Sequence, residues 1–192
     1  MRALLLLRGV NVGGHRKLPS KTLRALLQEL GLRDVQTYVQ SGNAVFSLPA
    51  GATLAGAEDE AALAARFVER LEATLGFDCA ALIRGATELD AIVAANPYAA
   101  QAAADPTRVH ALFCAEPVDA DAVHAAFPDD EAPQQVRAVA GATNRVLYFH
   151  APGGLGRAKR TPDKLERRLK VAITARNWRT VLALQALLRQ DG

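Results

Sequence analysis

The sequence is short of cysteine, of aromatic side chains and of long apolar runs. Only two of its 192 residues are cysteine, and Cys79 and Cys114 lie far apart and outside any CxxC spacing. We therefore expect two free, buried thiols in a reducing cytosol rather than a disulfide. No apolar run approaches the roughly 18 to 20 residues that span a bilayer, and the apolar start is shorter than the roughly 7 to 15 residues of a signal-peptide core. These absences predict a cytoplasmic protein with no membrane partner.

Signatures of catalysis and of metal or cofactor binding are also missing. The four histidines show no metal-ligand spacing with one another or with cysteine; they are His15, His110, His124 and His150. The sequence has no GxSxG nucleophile turn. Gly9 and Gly14 have the spacing of a P-loop, but His15 follows them where a lysine is required. The sequence therefore predicts neither a metal nor a cofactor, and it leaves open whether the protein is an enzyme and whether it forms oligomers.

Charge is present, and its distribution is uneven. The formal net charge is +3, and it combines +5 over residues 1–47, −9 over residues 48–156 and +7 over residues 157–179. Basic ends around an acidic middle predict a localised surface that attracts anions. The alternative is that these side chains only form solvated helix faces.

Hydrophobic periodicity predicts the element order β-α-β-β-α-β at the start of the chain. The predicted strands lie at 4–7, 35–39, 45–46 and 79–83. The first helix has Pro19 in its first turn and the second opens with Glu58, and Gly31 and Gly76 end them. A short linking helix follows, for which Thr87 is the predicted N-cap residue.

The same order of elements is predicted a second time in the C-terminal half. The predicted strands lie at 109–114, 136–139, 146–149 and 171–173. One helix is expected from Asp119 to Phe127 and another after Thr161, which is a typical N-cap residue before a proline. A final helix carries Val181, Leu184, Leu187 and Leu188 on one face.

The predicted order is that of the ferredoxin-like fold, also called the split βαβ or α/β plait. We therefore predict an α+β protein of two ferredoxin-like units with antiparallel sheets, plus linking and C-terminal helices. The predicted boundaries are 1–86 for the first unit, 87–107 for the linking helix and loop, and 108–192 for the second unit with its C-terminal helix. In this topology the loop after the first strand and the hairpin between strands two and three lie at the same sheet edge.

Three segments hold glycine, basic and short polar residues in a pattern that favours anion binding. The first is a loop at 8–17, the second a hairpin at 37–43, and the third joins 152–160 with 174–180. The candidate ligand-binding residues are Arg8, Asn11, Gly13, Gly14, Lys17, Tyr38, Gln40, Ser41, Asn43, Arg157, Lys159, Arg176, Asn177 and Trp178. Asn177 can cap the last helix, whose first N–H groups would attract an anion, whereas Trp178 is more typical of packing than of stacking on a ligand.

These segments resemble a bacterial family known as domain of unknown function 1697. Members carry RGxNVGG, TYxQSGN and TxRNWxT in this order, and this sequence has RGVNVGG at 8–14, TYVQSGN at 37–43 and TARNWRT at 174–180. The resemblance covers nearly the whole chain and implies paired ferredoxin-like units, but no activity. Ala158 stands where the family usually has a serine, which argues against a hydroxyl role there.

Three hypotheses of function follow from these observations. The first is a protein that binds a phosphate-bearing ligand, a nucleotide or nucleic acid, through the basic glycine-rich loops. The second is an enzyme that acts on a small anionic substrate in a cleft between the units, with His15 or Tyr38 as proton donor. The third is a protein-interaction module without a small-molecule ligand, in which the glycines serve only the fold and Arg8, Asn11 and Gln40 are dispensable.

Overall fold

The structure is a computed structural model that describes residues 1–39, 42–126, 135–138, 144–157 and 161–190. At 135–138 and at Arg157 it describes the backbone alone. The chain is a mixed α+β protein with two antiparallel four-stranded sheets. No helix among the described residues combines the length and the apolarity that crossing a membrane requires.

The first sheet and its two helices follow the predicted order of elements. The strands are β1 (Arg2–Leu7), β2 (Arg33–Thr37), β3 (Asn43–Ser47) and β4 (Ala81–Gly85), and the helices are α1 (Ser20–Glu29) and α2 (Ala57–Leu75). The strands lie in the order β2-β3-β1-β4. Alternate residues of the strands, such as Leu5 and Phe46, form one apolar core with Leu27 of α1 and Phe67 of α2. The two helices therefore cover one face of this sheet.

The second sheet repeats this arrangement. Its strands are β5 (Val109–Cys114), β6 (Gln135–Ala138), β7 (Val146–His150) and β8 (Ile173–Asn177). The helices are α3 (Ala86–Ala94), α4 (Ala99–Ala104), α5 (Ala120–Ala126), α6 (Pro162–Leu169) and α7 (Trp178–Arg189). The strand order is β6-β7-β5-β8. Leu112 and Leu147 of the strands pack with Val123 of α5 and Leu165 of α6 in the core of this sheet.

The chain divides into two compact units. One consists of Met1–Thr87 together with Leu184–Gly192, and the other is Glu88–Ala183. The division drawn from the sequence set residues 87–107 apart as a linker and assigned the whole C-terminal helix to the second unit. In the structure almost all of the linker region belongs to the second unit, and the end of α7 is grouped with the first.

Several predicted boundaries were wrong. Pro19 precedes α1 instead of lying in its first turn. Thr87 is no N-cap, because α3 begins at Ala86 directly after the last residue of β4. The second strand ends at Thr37, before Val39, whose left-handed φ of 45° breaks the extended backbone. The last strand runs on to Asn177, because its backbone pairs with β5 from Ile173 onward.

Candidate functional site

The glycine loop and the polar hairpin meet at one edge of the first sheet, as the topology predicted. We call residues 8–18 the glycine loop, residues 37–43 the polar hairpin, and the two together the loop edge. The Leu7 N–H donates to the carbonyl oxygen of Gly42 at 2.8 Å, and the Arg8 N–H donates to that of Ala80 at 2.9 Å. A Cβ atom on Gly42 would lie 2.6 Å from Cγ2 of Val10, so the two segments are in close contact.

The glycine loop folds as a small hairpin of its own. The His15 N–H donates to the carbonyl of Val12 at 3.1 Å, and the Asn11 N–H donates to that of Arg16 at 3.1 Å. Gly13 and Gly14 lie between Val12 and His15 in this turn, with φ values of 60° and 79°. Two consecutive left-handed residues are the requirement of a tight two-residue turn, which favours glycine at both positions. The glycines therefore give the loop a defined turn.

Asn11 closes the base of this loop. Its side-chain oxygen accepts the Leu18 N–H at 2.8 Å, and its amide nitrogen donates to the Leu18 carbonyl at 3.0 Å. Its own backbone is left-handed, with φ 57°, a conformation that asparagine tolerates better than most residues. The carboxamide is thus engaged in holding the loop together.

Asn43 closes the polar hairpin in a similar way. Its side chain is fully buried and donates to the carbonyl of Tyr38 at 3.0 Å, while the Tyr38 N–H donates to the carbonyl of Asn43 at 3.1 Å. Tyr38 itself is half-buried. Gln40 and Ser41, which the sequence also proposed as ligand contacts, lie outside the described residues. Asn43 therefore belongs to the framework of the loop edge.

Basic side chains give the loop edge its charge. His15, Arg16 and Lys17 are exposed in succession, and Arg8 is half-buried at the start of the loop. Arg16 lies 3.6 Å from a carboxylate oxygen of Asp78, with 43% and 71% of the two side chains exposed. Exposed ion pairs of this kind contribute at most about 1 kcal/mol and leave the arginine able to exchange partners. The surface of the glycine loop is therefore cationic.

Helix α1 begins at Ser20, shortly after these basic residues. Its N-cap is Pro19, which provides no side-chain cap, and its first turn holds no acidic residue. The first backbone N–H that donates within the helix is that of Leu23, to the carbonyl of Pro19 at 3.0 Å. The N–H groups of the first turn and the helix dipole therefore point out beside the glycine loop, and both favour an anion.

Cys79 lies at the same edge but is unsuited to nucleophilic chemistry. Its side chain is buried, and burial raises the pKa of the thiol to about 11, against the opposing influence of Arg16. A thiol with that pKa holds almost no thiolate near neutral pH. Cys114 is likewise free and buried, as the sequence predicted for both cysteines.

Arg176 does not lie on the second basic surface that the sequence predicted. It is buried on β8, where one guanidinium nitrogen donates to the Thr174 hydroxyl and to the Ala175 carbonyl, both at 2.8 Å. Burial lowers the pKa of its guanidinium to about 10. These contacts hold the Arg176 side chain within the strand, in a segment whose sequence looks like a polar loop.

The start of α7 is occupied by the protein itself. Asn177 caps the helix as predicted, since its side-chain oxygen accepts the Thr180 N–H at 2.9 Å. The Trp178 N–H donates to the carbonyl of Pro106 at 3.0 Å, so two N–H groups expected to attract an anion already have acceptors. The Trp178 ring is buried 6.2 Å from the ring of Tyr148, which is a packing contact. Arg157 is described in its backbone alone, and Lys159 lies outside the described residues.

Two residues of the second unit have surroundings that the sequence analysis did not predict. Arg108 lies against the backbone of Gly154, where an added Cβ would come 2.5 Å from a guanidinium nitrogen. It pairs with Asp105 at 3.3 Å, and no motif in the sequence marks it. His110 is buried, its Nδ1 has no hydrogen-bond partner in the described part of the chain, and burial lowers its pKa to about 4. Only its alternation with Leu112 on a buried strand indicated that it points into the core.

No three acidic, histidine or cysteine side chains come together as a metal site within the described ranges. The fold and the loop edge define a two-sheet α+β protein with a cationic, glycine-rich loop on its first sheet. The chain belongs to the family described as Protein of unknown function (DUF1697), whose model matches residues 1–148. That match contains the glycine loop and the polar hairpin and ends before the third motif.

One solved structure is similar along almost the whole chain. It is a conserved bacterial protein from Streptococcus pneumoniae, with a TM-score of 0.63, 24% sequence identity and 98% of each chain covered. At this level of identity the likeness shows the fold alone. No curated protein matches the chain significantly.

Proposed function

We propose that the loop edge of the first unit binds a phosphate-bearing ligand, a nucleotide or nucleic acid. The observation that carries this proposal is the juxtaposition of a defined glycine turn, three exposed basic side chains and the uncapped start of α1 within residues 12–22. Convergent N–H groups and cations of this kind are the common means by which loops hold phosphate oxygens.

The loop supplies backbone donors as well as charge. Within the described residues, the N–H groups of Gly13 and Gly14 donate to no protein acceptor, and the same holds for Ser20, Lys21 and Thr22. Lys17 lies between these two sets of donors in the sequence. Its ammonium group is exposed and can move to an incoming phosphate, in contrast to the buried guanidinium of Arg176.

In this proposal, some of the remaining predicted ligand residues support the two loops and others contact the ligand. Asn11 and Asn43 hold the two loops in shape through bonds to the backbone. Tyr38, Arg8 and Lys17 are the side chains proposed to contact the ligand. The cationic segment around 157–160 would be a second contact of the same kind in the other unit.

No specific observation favours the enzyme hypothesis. Two open cavities of about 260 and 320 Å³ lie on the helical side of the first unit and share Leu30 and Arg66. Their walls contain no residue of the loop edge and no predicted proton donor. The interaction-module hypothesis treats Asn11 as dispensable, and the two bonds from Asn11 to Leu18 count against that part of it.

We also propose that each unit is ferredoxin-like. Each has the order β-α-β-β-α-β, and the strand orders β2-β3-β1-β4 and β6-β7-β5-β8 are equivalent. In each unit the first strand pairs antiparallel with the third and the fourth. This pattern supports the split βαβ class.

A thermal-shift experiment tests the proposed function. The wild-type protein is melted with nucleotides, sugar phosphates, or short RNA and DNA at low and at moderate salt. A ligand that binds only the folded state at ~100 times its dissociation constant stabilises by about 2.7 kcal/mol, or roughly 5 to 11 °C for a chain of this size. The double variant Arg8→Ala/Lys17→Ala is expected to lose most of this shift.

Arg33→Ala is the matched control, because Arg33 is an exposed cation at the opposite end of β2. The control is expected to keep the ligand shift of the wild type. A double variant that responds to the ligand as strongly as the wild type does would remove the loop edge from the proposal.

A further inference from the structure

Two valines are exposed at the loop edge where a soluble surface would favour polar side chains. Val12 is 66% exposed at the tip of the glycine loop, and Val39 is 58% exposed in the polar hairpin. Val39 is also held in a left-handed conformation, with φ 45°, which is rare for a β-branched residue. The described residues contain only two further large apolar side chains with comparable exposure, Met1 and Leu182. Two of these four exposed apolar side chains therefore lie at the loop edge.

The turn of the glycine loop is also open. Residues 12–17 are all exposed. A Cβ on Gly14 would meet nothing within 4 Å, and a Cβ on Gly13 would meet only the ring of His15 at 3.9 Å. Sites for small molecules are usually concave and bury 70–90% of the ligand. An open surface with cations and apolar side chains instead suits a polymer that lies across it.

We propose that the ligand of this edge is single-stranded nucleic acid, an inference that rests on the proposed function. The phosphates lie against Arg16, Lys17 and the start of α1, and unpaired bases lie against Val12 and Val39. A free phosphate or sugar phosphate would leave both valines in water. In a duplex the bases are stacked and paired, so their faces cannot reach the valines, whereas in a single strand they are accessible.

Fluorescence anisotropy with a labelled 12-nucleotide single strand tests this inference. The variants are Val12→Ser/Val39→Ser, Lys17→Ala, and the controls Leu182→Ser and Arg33→Ala, each measured at several salt concentrations. The valine double variant is expected to bind about tenfold more weakly with an unchanged salt slope, which corresponds to the loss of about 60 Å² of apolar contact. Lys17→Ala is expected to flatten the salt slope by about 0.7, the value for one phosphate contact of a single strand.

The outcomes separate this inference from the proposed function. The polymer inference is supported if single strands bind more tightly than both the matching duplex and the mononucleotide, and if the valine double variant binds them more weakly than wild type. A mononucleotide that binds as tightly as the oligonucleotide, or a valine variant that binds like wild type, overturns the polymer inference and leaves phosphate binding in place. The absence of binding by every phosphate compound overturns both.

Discussion

The contact between the glycine loop and the polar hairpin makes Gly42 the most sensitive position of the loop edge. Gly42 has a left-handed backbone with φ 71°. The Cβ that alanine adds would lie 2.6 Å from Cγ2 of Val10 and 2.7 Å from Cβ of Leu7. Both neighbours are buried, so neither can move into solvent. We therefore expect Gly42→Ala to push the two segments apart.

The cost can be divided into two parts. A left-handed alanine costs roughly 1 to 2 kcal/mol relative to the right-handed form, and forcing a methyl group into a packed site typically costs about 1 to 3 kcal/mol more. Gly51 has the same backbone, with φ 80°, but nothing lies within 4 Å of its Cβ position. Gly51→Ala is therefore the matched control, because it has the cost of a left-handed alanine without the cost of a packing clash.

Urea and thermal unfolding of the two variants measure the difference. Gly42→Ala is expected to lose about 1 to 3 kcal/mol more than Gly51→Ala, or about 2 to 12 °C in melting temperature. In addition, Val10→Ala should cost less in the Gly42→Ala background than in the wild type, because it removes the nearest clashing atom. Equal stability of the two alanine variants would refute the packing that we describe at this edge.

Three further predictions concern single side chains. Asn11→Asp keeps the acceptor for the Leu18 N–H but loses the donor to the Leu18 carbonyl, so we expect it to lower the free energy of unfolding by about 1 kcal/mol. Asn11→Ala loses both bonds and is expected to cost more. Equal losses of the two variants in urea unfolding would contradict this. The pKa of His110 is lowered from 6.5 to about 4. The unfolded chain takes up this proton below pH 6.5 and the folded chain does not, so stability is expected to fall by up to about 3 kcal/mol as the pH drops from 6.5 to 4. His110→Gln should flatten this part of the profile, and an unchanged slope would show that other groups cause it. Cys79, with a pKa of about 11, is expected to react with a disulfide reagent at pH 8 only in denaturant, and rapid labelling of the native protein would contradict its burial.

Much of the fold was predictable because its elements carry regular apolar patterns. Buried strands such as Val109–Cys114 and helices with a clear apolar stripe are specified by local sequence and by their burial. One error falls where tertiary pairing overrides local preference. Residues 174–177 look like a polar loop, but pairing with β5 extends the strand and buries Arg176 with its own hydrogen-bond partners.

The loop edge was predictable in its location but not in the roles of its side chains. Topology alone brings the glycine loop and the polar hairpin together. Sequence cannot show which side chains bind backbone, as those of Asn11 and Asn43 do in the structure. The exposure of Val12 and Val39 and the contact of Arg108 with Gly154 depend on backbone geometry, for which the sequence has no signal.

The central claim is that phosphate is bound by the glycine loop and the start of α1. The most direct test is a titration of the isotope-labelled protein with a single-stranded oligonucleotide, followed by the backbone amide signals. We expect the largest shifts at Gly13, Gly14, Lys17 and the first turn of α1, with no comparable change at β2. Shifts confined to other parts of the chain, or no shift at any concentration, would contradict the assignment of this edge as the phosphate site.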